Sequence, residues 1–345
     1  MLILNKFENQ ILGDRHNGGK SVVLNKNGFI EKPRPCRAEW FFLSEKSPLR
    51  VYFKESSIFS YFPNLEFYNE NLSEVGMVDF LNLNTSLSKH NDKIKISEAV
   101  GNLLAISQWF GLSDLHHDNI KYGCDEKGKF ILAPIDIECI FQNIKLPFQT
   151  GLISKDQTDV KFGIKNIMNT TSLRPVLVVE AYLRTIEVLF LNRNQLFKII
   201  NDVFNPNDLA RVLLKDTSVY RCWINGIMDG NHLISEEIDQ LKAGDIPYFF
   251  RYVSSNTINF WNNGKVTILK DAPNSSFMLT QLLLLELDDY WEELGKFIKH
   301  GALQIADRLT DKINLYHEQI SGVELKKNGN TLEITTKEWR SKCVL

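Results

Sequence analysis

The chain has 345 residues, 43% of them hydrophobic and 24% charged, a balance that fits a folded globular protein and excludes a fibrous, disordered or low-complexity chain. With 40 basic and 42 acidic side chains the net charge is −2, so no broad positive field draws it to nucleic acid or anionic lipid, and an anionic ligand needs a local site. Five scattered cysteines (Cys36, Cys124, Cys139, Cys222 and Cys343) without a CxxC pair, and an apolar run at Leu282–Leu285 that stops at Glu286, predict a reducing, cytoplasmic setting without disulfide framework, zinc ribbon, export signal or membrane span.

From Ser21 to Lys32 two short apolar runs flank Asn27-Gly28, the strongest local signal for a tight hairpin. Trp40–Leu43 and Leu49–Phe53 are rich in aromatic or branched residues and read as a third and fourth strand. From Ile96 to Phe110 apolar residues recur at three- and four-residue steps and Gly111 follows as a stop, which predicts a helix leading into a charged cluster. A turn at Asp125–Gly128 precedes a strand pattern over Phe130–Glu138. Helical patterns follow over Val176–Asn201, Asp208–Leu214 and Phe277–Leu309. A turn at Gly264 precedes Val266–Leu269, and Val323–Thr335 places Asn328-Gly329 between alternating residues, a second hairpin. The expected fold class is α+β in two lobes, strand-rich over residues 1–95 and mainly helical over 96–345.

Chemistry concentrates in Ser113-Asp114-Leu115-His116-His117-Asp118-Asn119 and Ile135-Asp136-Ile137-Glu138. Phosphoryl transfer needs an acid beside the attacking hydroxyl, oxygen ligands for magnesium and cations over the phosphates. Asp114 can orient or deprotonate a hydroxyl, and Asn119 and Asp136 offer hard oxygen ligands. Glu138, two residues on, shares a face with Asp136 and can hold a second ion or fix the first. The same residues also fit a helix-capping loop, and His116 and His117 fit a surface pair or part of a zinc site, although no third or fourth nitrogen or sulfur ligand lies near them. At the front, Asp14, His16, Gly18 and Gly19 lie in a glycine-containing turn with Lys32-Pro33-Arg34 after it, a combination that can cradle nucleotide phosphates without a Walker-type loop. Arg211 and Thr217, six positions apart, complete the set of candidates.

Taken in order, Gly13–Gly19, Lys32–Arg34, Asp114–Asn119, Asp136–Glu138, Arg211 to Tyr220 and Gly244–Phe249 resemble the dehydratase domain of class II lanthipeptide synthetases over about residues 12–250. The resemblance implies a two-lobed fold like a lipid-kinase catalytic core, ATP and magnesium as cofactors, and a ribosomally made precursor peptide as substrate. Its serines and threonines would be phosphorylated, then lose phosphate to give dehydroalanine or dehydrobutyrine. By motif, Lys32 would contact phosphate, Asp114, His116 and Asn119 would form the phosphotransfer loop, Asp136 with Glu138 would serve magnesium, and Arg211 and Thr217 would serve elimination. The group that takes the α-proton is left open. The family's full enzymes carry a zinc cyclase domain whose ligand set this sequence lacks, so ring closure would fall to a separate cyclase. A kinase that stops at the phosphorylated product, and an inactive kinase-like binding module, are the alternative readings.

Overall fold

The computed structural model describes residues 9–16, 20–68, 76–85, 92–156, 158–262, 264–270 and 287–344. In chain order the strands are β1 (Gln10–Ile11), β2 (Val23–Leu24), β3 (Phe29–Lys32), β4 (Gly76–Asp79), β5 (Ile120–Cys124), β6 (Phe130–Pro134), β7 (Leu209–Val212), β8 (Phe249–Tyr252), β9 (Asn259–Asn262), β10 (Lys265–Ile268), β11 (Leu315–Ile320), β12 (Val323–Asn328), β13 (Thr331–Thr335) and β14 (Arg340–Val344). The helices are α1 (Arg37–Leu43), α2 (Pro48–Tyr52), α3 (Asp92–Trp109), α4 (Lys165–Thr170), α5 (Pro175–Leu191), α6 (Arg193–Val203), α7 (Thr217–Ile224), α8 (Ser235–Lys242) and α9 (Leu287–Thr310). The architecture is α+β with several antiparallel sheets. No helix among the described residues is long and apolar enough to cross a membrane.

The chain forms two compact units, each assembled from separated stretches: Met1–Trp40, Leu65–Leu81 and Phe204–Ser276 in the first, and Phe41–Asn64, Asn82–Val203 and Phe277–Leu345 in the second. This division differs from a single break after residue 95, because residues 204–276 pack with the front of the chain. The first unit holds the sheet β1-β2-β3-β4 and the sheet β10-β9-β8-β7. Asn25 turns the β2–β3 hairpin, its side chain accepting from the backbone of Asn27 and Phe29, and Gly28 takes the left-handed φ of +83° that the turn requires. Val212, Phe249, Ile258, Phe260 and Leu269 close the core of the second sheet, and Tyr220, Leu241 and Ile246 form a smaller cluster under α7 and α8.

In the second unit α3 and α5 cross at Gly101, where a Cβ would lie 2.4 Å from the Val178 carbonyl oxygen; only a residue without a side chain permits that approach. Val176, Val178, Val179, Ala181, Tyr182, Ile186 and Leu189 of α5 are wholly buried. The meander β11-β12-β13-β14 lays Leu325, Leu332 and Ile334 on its inner face, and β12 and β13 lie against α5 and α9.

Five sequence expectations are corrected. Trp40–Leu43 and Leu49–Phe53 fall in α1 and α2 rather than strands; Ser47 caps α2, accepting from the Arg50 amide, with Pro48 at its first position. Asp208–Leu214 contains the strand β7, not a helix. The pattern over Val176–Asn201 is two helices broken at Asn192. The strand over Phe130–Glu138 ends at Pro134. Both Asn-Gly hairpins and the helix entering the charged cluster form as expected. The helix expected from Phe277 is described only from Leu287.

Candidate active site

In the second unit α3 delivers the chain into the Asp114–Asn119 loop. Gly111 and Phe110 bond Gln142 and Phe141 through their backbones, and the Ser113 amide donates to the Cys139 carbonyl at 3.0 Å. The far side of the loop is held by the 150–163 segment: the Leu115 amide donates to Thr150 O at 2.9 Å and the His117 amide to Lys161 O at 3.0 Å. Asp114 itself sits at φ +63°, a left-handed conformation uncommon for a residue with a side chain. Its carbonyl accepts from Asn119 Nδ2 at 2.9 Å, which locks both ends of the loop together.

Asn119 and Asp136 come to the same end of a hairpin. The register pairs Ile120 with Pro134, and the Ile135 amide donates to the Asn119 carbonyl at 2.9 Å, so the residues just before β5 and just after β6 are neighbours. Asp136 and Glu138 are both half-exposed and flank the buried Ile137. Three half-exposed oxygen donors from Asn119, Asp136 and Glu138 suit a hard cation such as magnesium.

The histidines also hold the loop's backbone. His116 Nδ1 accepts from the Asp118 amide at 3.3 Å and caps the short 3-10 turn at His117–Asn119, so the capping function anticipated for this loop is present. His116 Nε2 stands 3.9 Å from Asp114 Oδ1. His117 Nδ1 lies 3.1 Å from Lys161 O. One ligand atom from each of His116, His117 and Asp118 lies within 4.8 Å of the others, but Asp118 is an open surface residue and both Nδ1 atoms already meet the backbone.

The first unit gathers the other candidates. Lys32, at the end of β3 and 6% exposed, donates to both oxygens of Glu39, at 2.8 and 2.7 Å. Arg34 donates to the same carboxylate, so one buried glutamate in the first turn of α1 serves two buried cations. His16 Nδ1 is 2.9 Å from the Ile246 carbonyl, which only accepts, so Nδ1 carries the proton. The Ile246 amide donates to Arg15 O, and Arg15 lies 3.7 Å from Asp245; the first and last of the sequence motifs thus dock on each other. Arg211 on β7 is buried with its guanidinium 5.1 Å above the Tyr248 ring. Thr217 opens α7, whose cap is Asp216. Asp14 is bound by Arg221 at 2.9 and 3.0 Å. Gly18 and Gly19 lie outside the described residues.

No protein-family model matches the chain, and no curated protein does. The site therefore rests on its own geometry. Asp14, His16, Lys32, Arg211 and Thr217 belong to the first unit, and Asp114, His116, Asn119, Asp136 and Glu138 to the second. Sequence reasoning passed over Glu39 and Glu237. Glu237 is fully buried and accepts from Lys215 Nζ at 2.6 Å, Tyr220 Oη at 2.7 Å and the Ile234 amide at 2.9 Å. An acidic residue two places into a helix that follows Lys-Pro-Arg was the available signal for Glu39. For Glu237 it was an acid three residues after a helix boundary.

Proposed function

We propose that the chain, as a two-lobed kinase-like enzyme of the lanthipeptide dehydratase type, phosphorylates serine and threonine of a ribosomally made precursor peptide with ATP and magnesium and then eliminates the phosphate. The observation that carries the reading is the hairpin end that sets Asn119 beside the Asp136 segment while Asn119 holds the Asp114 carbonyl. Hydroxyl acceptor and oxygen ligands in one short frame are what phosphoryl transfer requires. A second support is the Lys32–Glu39 pair: in protein kinases a strand lysine held by a helix glutamate contacts the nucleotide phosphates.

In the first step Asp114 takes the proton of the peptide hydroxyl, whose oxygen bonds the γ-phosphorus of ATP as the bond to the ADP oxygen breaks. Lys32 is assigned to the nucleotide phosphates, and Asn119, Asp136 and Glu138 to magnesium, which would neutralise charge on the transferring group. In the second step a base removes the α-proton, its electron pair becomes the Cα–Cβ double bond, and the Cβ–O bond breaks to release phosphate. Arg211 supplies positive charge to the leaving oxygens and Thr217 a hydroxyl donor. Thioether closure would belong to a separate cyclase.

The test is incubation of the full chain with ATP, magnesium and a serine- or threonine-containing peptide encoded beside its gene, read by mass spectrometry. Loss of water supports the two-step reading. Stable gain of phosphate leaves a kinase, and an unaltered peptide with no ATP binding leaves a binding module.

A further inference from the structure

Glu237 is a fully buried carboxylate that accepts from three donors, two of which flank one short segment. Lys215 precedes Thr217 by two residues and Tyr220 follows it by three, so the carboxylate grips the chain on both sides of Thr217. The third donor, the Ile234 amide, fixes the carboxylate to the start of α8. Arg211 is tied to the same helix: its guanidinium lies 5.1 Å over the Tyr248 ring, and the Tyr248 amide donates to Gln240 Oε1 of α8 at 2.9 Å. Burial and the bond to Glu237 hold the Tyr220 phenol well above its ordinary pKa, so it remains a donor across any working pH.

We infer that Glu237 is a positioning residue for phosphate release, clamping Lys215 and Tyr220 so that Thr217 and Arg211 keep a fixed relation to each other. This rests on the two-step reading above. Glu237, fully buried, acts only through the groups that would receive the departing phosphate while the α-proton leaves to a base and the Cβ–O bond breaks. Lys215 is thereby accounted for as a structural cation matched to Glu237 and not as a phosphate ligand.

The two steps can be measured apart on the full chain. Elimination is followed from a synthetic phosphoserine form of the adjacent-encoded peptide supplied with ADP and magnesium, and phosphorylation from the unmodified peptide with ATP. In Glu237→Gln the ratio of elimination to phosphorylation falls about ten-fold or more, the effect expected when a charge-assisted hydrogen bond is lost, and phosphopeptide accumulates. Lys215→Met and Tyr220→Phe, each removing one arm of the clamp, shift the ratio the same way by less, and Glu237→Asp, which keeps the charge, recovers part of it. Equal loss of both rates in step with lost thermal stability overturns the inference. If Glu237→Gln does not fold, the two milder variants decide it, and an unchanged ratio in both overturns it. A wild-type chain that never releases phosphate from the phosphopeptide removes the two-step reading itself, a different result from a wild type that eliminates and a Glu237→Gln that eliminates equally well.

Discussion

Replacing Gly163 with alanine places a methyl carbon 2.3 Å from the Leu115 carbonyl oxygen and 3.0 Å from both Ile120 Cγ1 and Leu152 Cδ2. Real Cβ contacts essentially never fall below 3.0 Å, so the two backbones must separate by about 0.7 Å, and nearer 1 Å for an unstrained fit. Leu115 sits between Asp114 and His116, and its own amide is tied to Thr150, so the displacement is passed to the Asp114–Asn119 loop. A misplacement of about 1 Å costs about a hundred-fold in a positioned reaction, while overpacking of this kind lowers stability by about 1–3 kcal/mol. The assay is the initial rate of ADP formation with peptide at saturating ATP, beside a denaturant titration of the same variant. A rate near wild type with reduced stability would refute the assignment of this loop to the chemistry. Unchanged rate and unchanged stability would refute the contact.

Other perturbations separate the parts. Glu39→Gln removes the carboxylate shared by buried Lys32 and Arg34 and should cost about 3–5 kcal/mol by denaturant titration; Lys32→Met, which keeps the Arg34–Glu39 pair, should cost less stability while losing phosphorylation. Asp136→Asn replaces the carboxylate proposed to hold magnesium with a neutral amide and should lower phosphorylation by about a hundred- to a thousand-fold without altering the melt, and a rate within ten-fold of wild type would count against that role. Thr217→Ala should leave phosphopeptide accumulating, seen by mass spectrometry, and equal loss of both steps would contradict its place in elimination. Gly101→Ala should destabilise the α3–α5 crossing by about 1–3 kcal/mol.

The features legible in the sequence were those with local causes. Asn27-Gly28 and Asn328-Gly329 set hairpins because few residues adopt the turn they require, and the three- and four-residue spacing before Gly111 marked α3. Phe41, Phe42 and Leu43 were read as strand because a helical segment buried on every side shows no period, and the Ser47-Pro48 start of α2 was the overlooked signal. Asp208–Leu214 is too short for periodicity to tell helix from strand, and pairing with β8 decides it. In the site, the Asn119–Asp136 relation follows from one hairpin register and was implicit in the local pattern. The carboxylates Glu39 and Glu237 left only a weak local trace, an acid near a helix start, because their meaning lies in which cations burial brings to them, and the docking of Arg15 and His16 on residues 245–246 joins segments some 230 positions apart.

The central claim is that this chain moves phosphate from ATP to a peptide hydroxyl and then expels it. The most direct measurement is the mass of the adjacent-encoded peptide after incubation with the purified chain, ATP and magnesium, with Asp136→Asn and Thr217→Ala in parallel. Water loss with wild type, no change with Asp136→Asn and phosphate gain with Thr217→Ala is the predicted pattern. A peptide left unmodified by a folded wild-type chain that also fails to bind ATP with magnesium would contradict it.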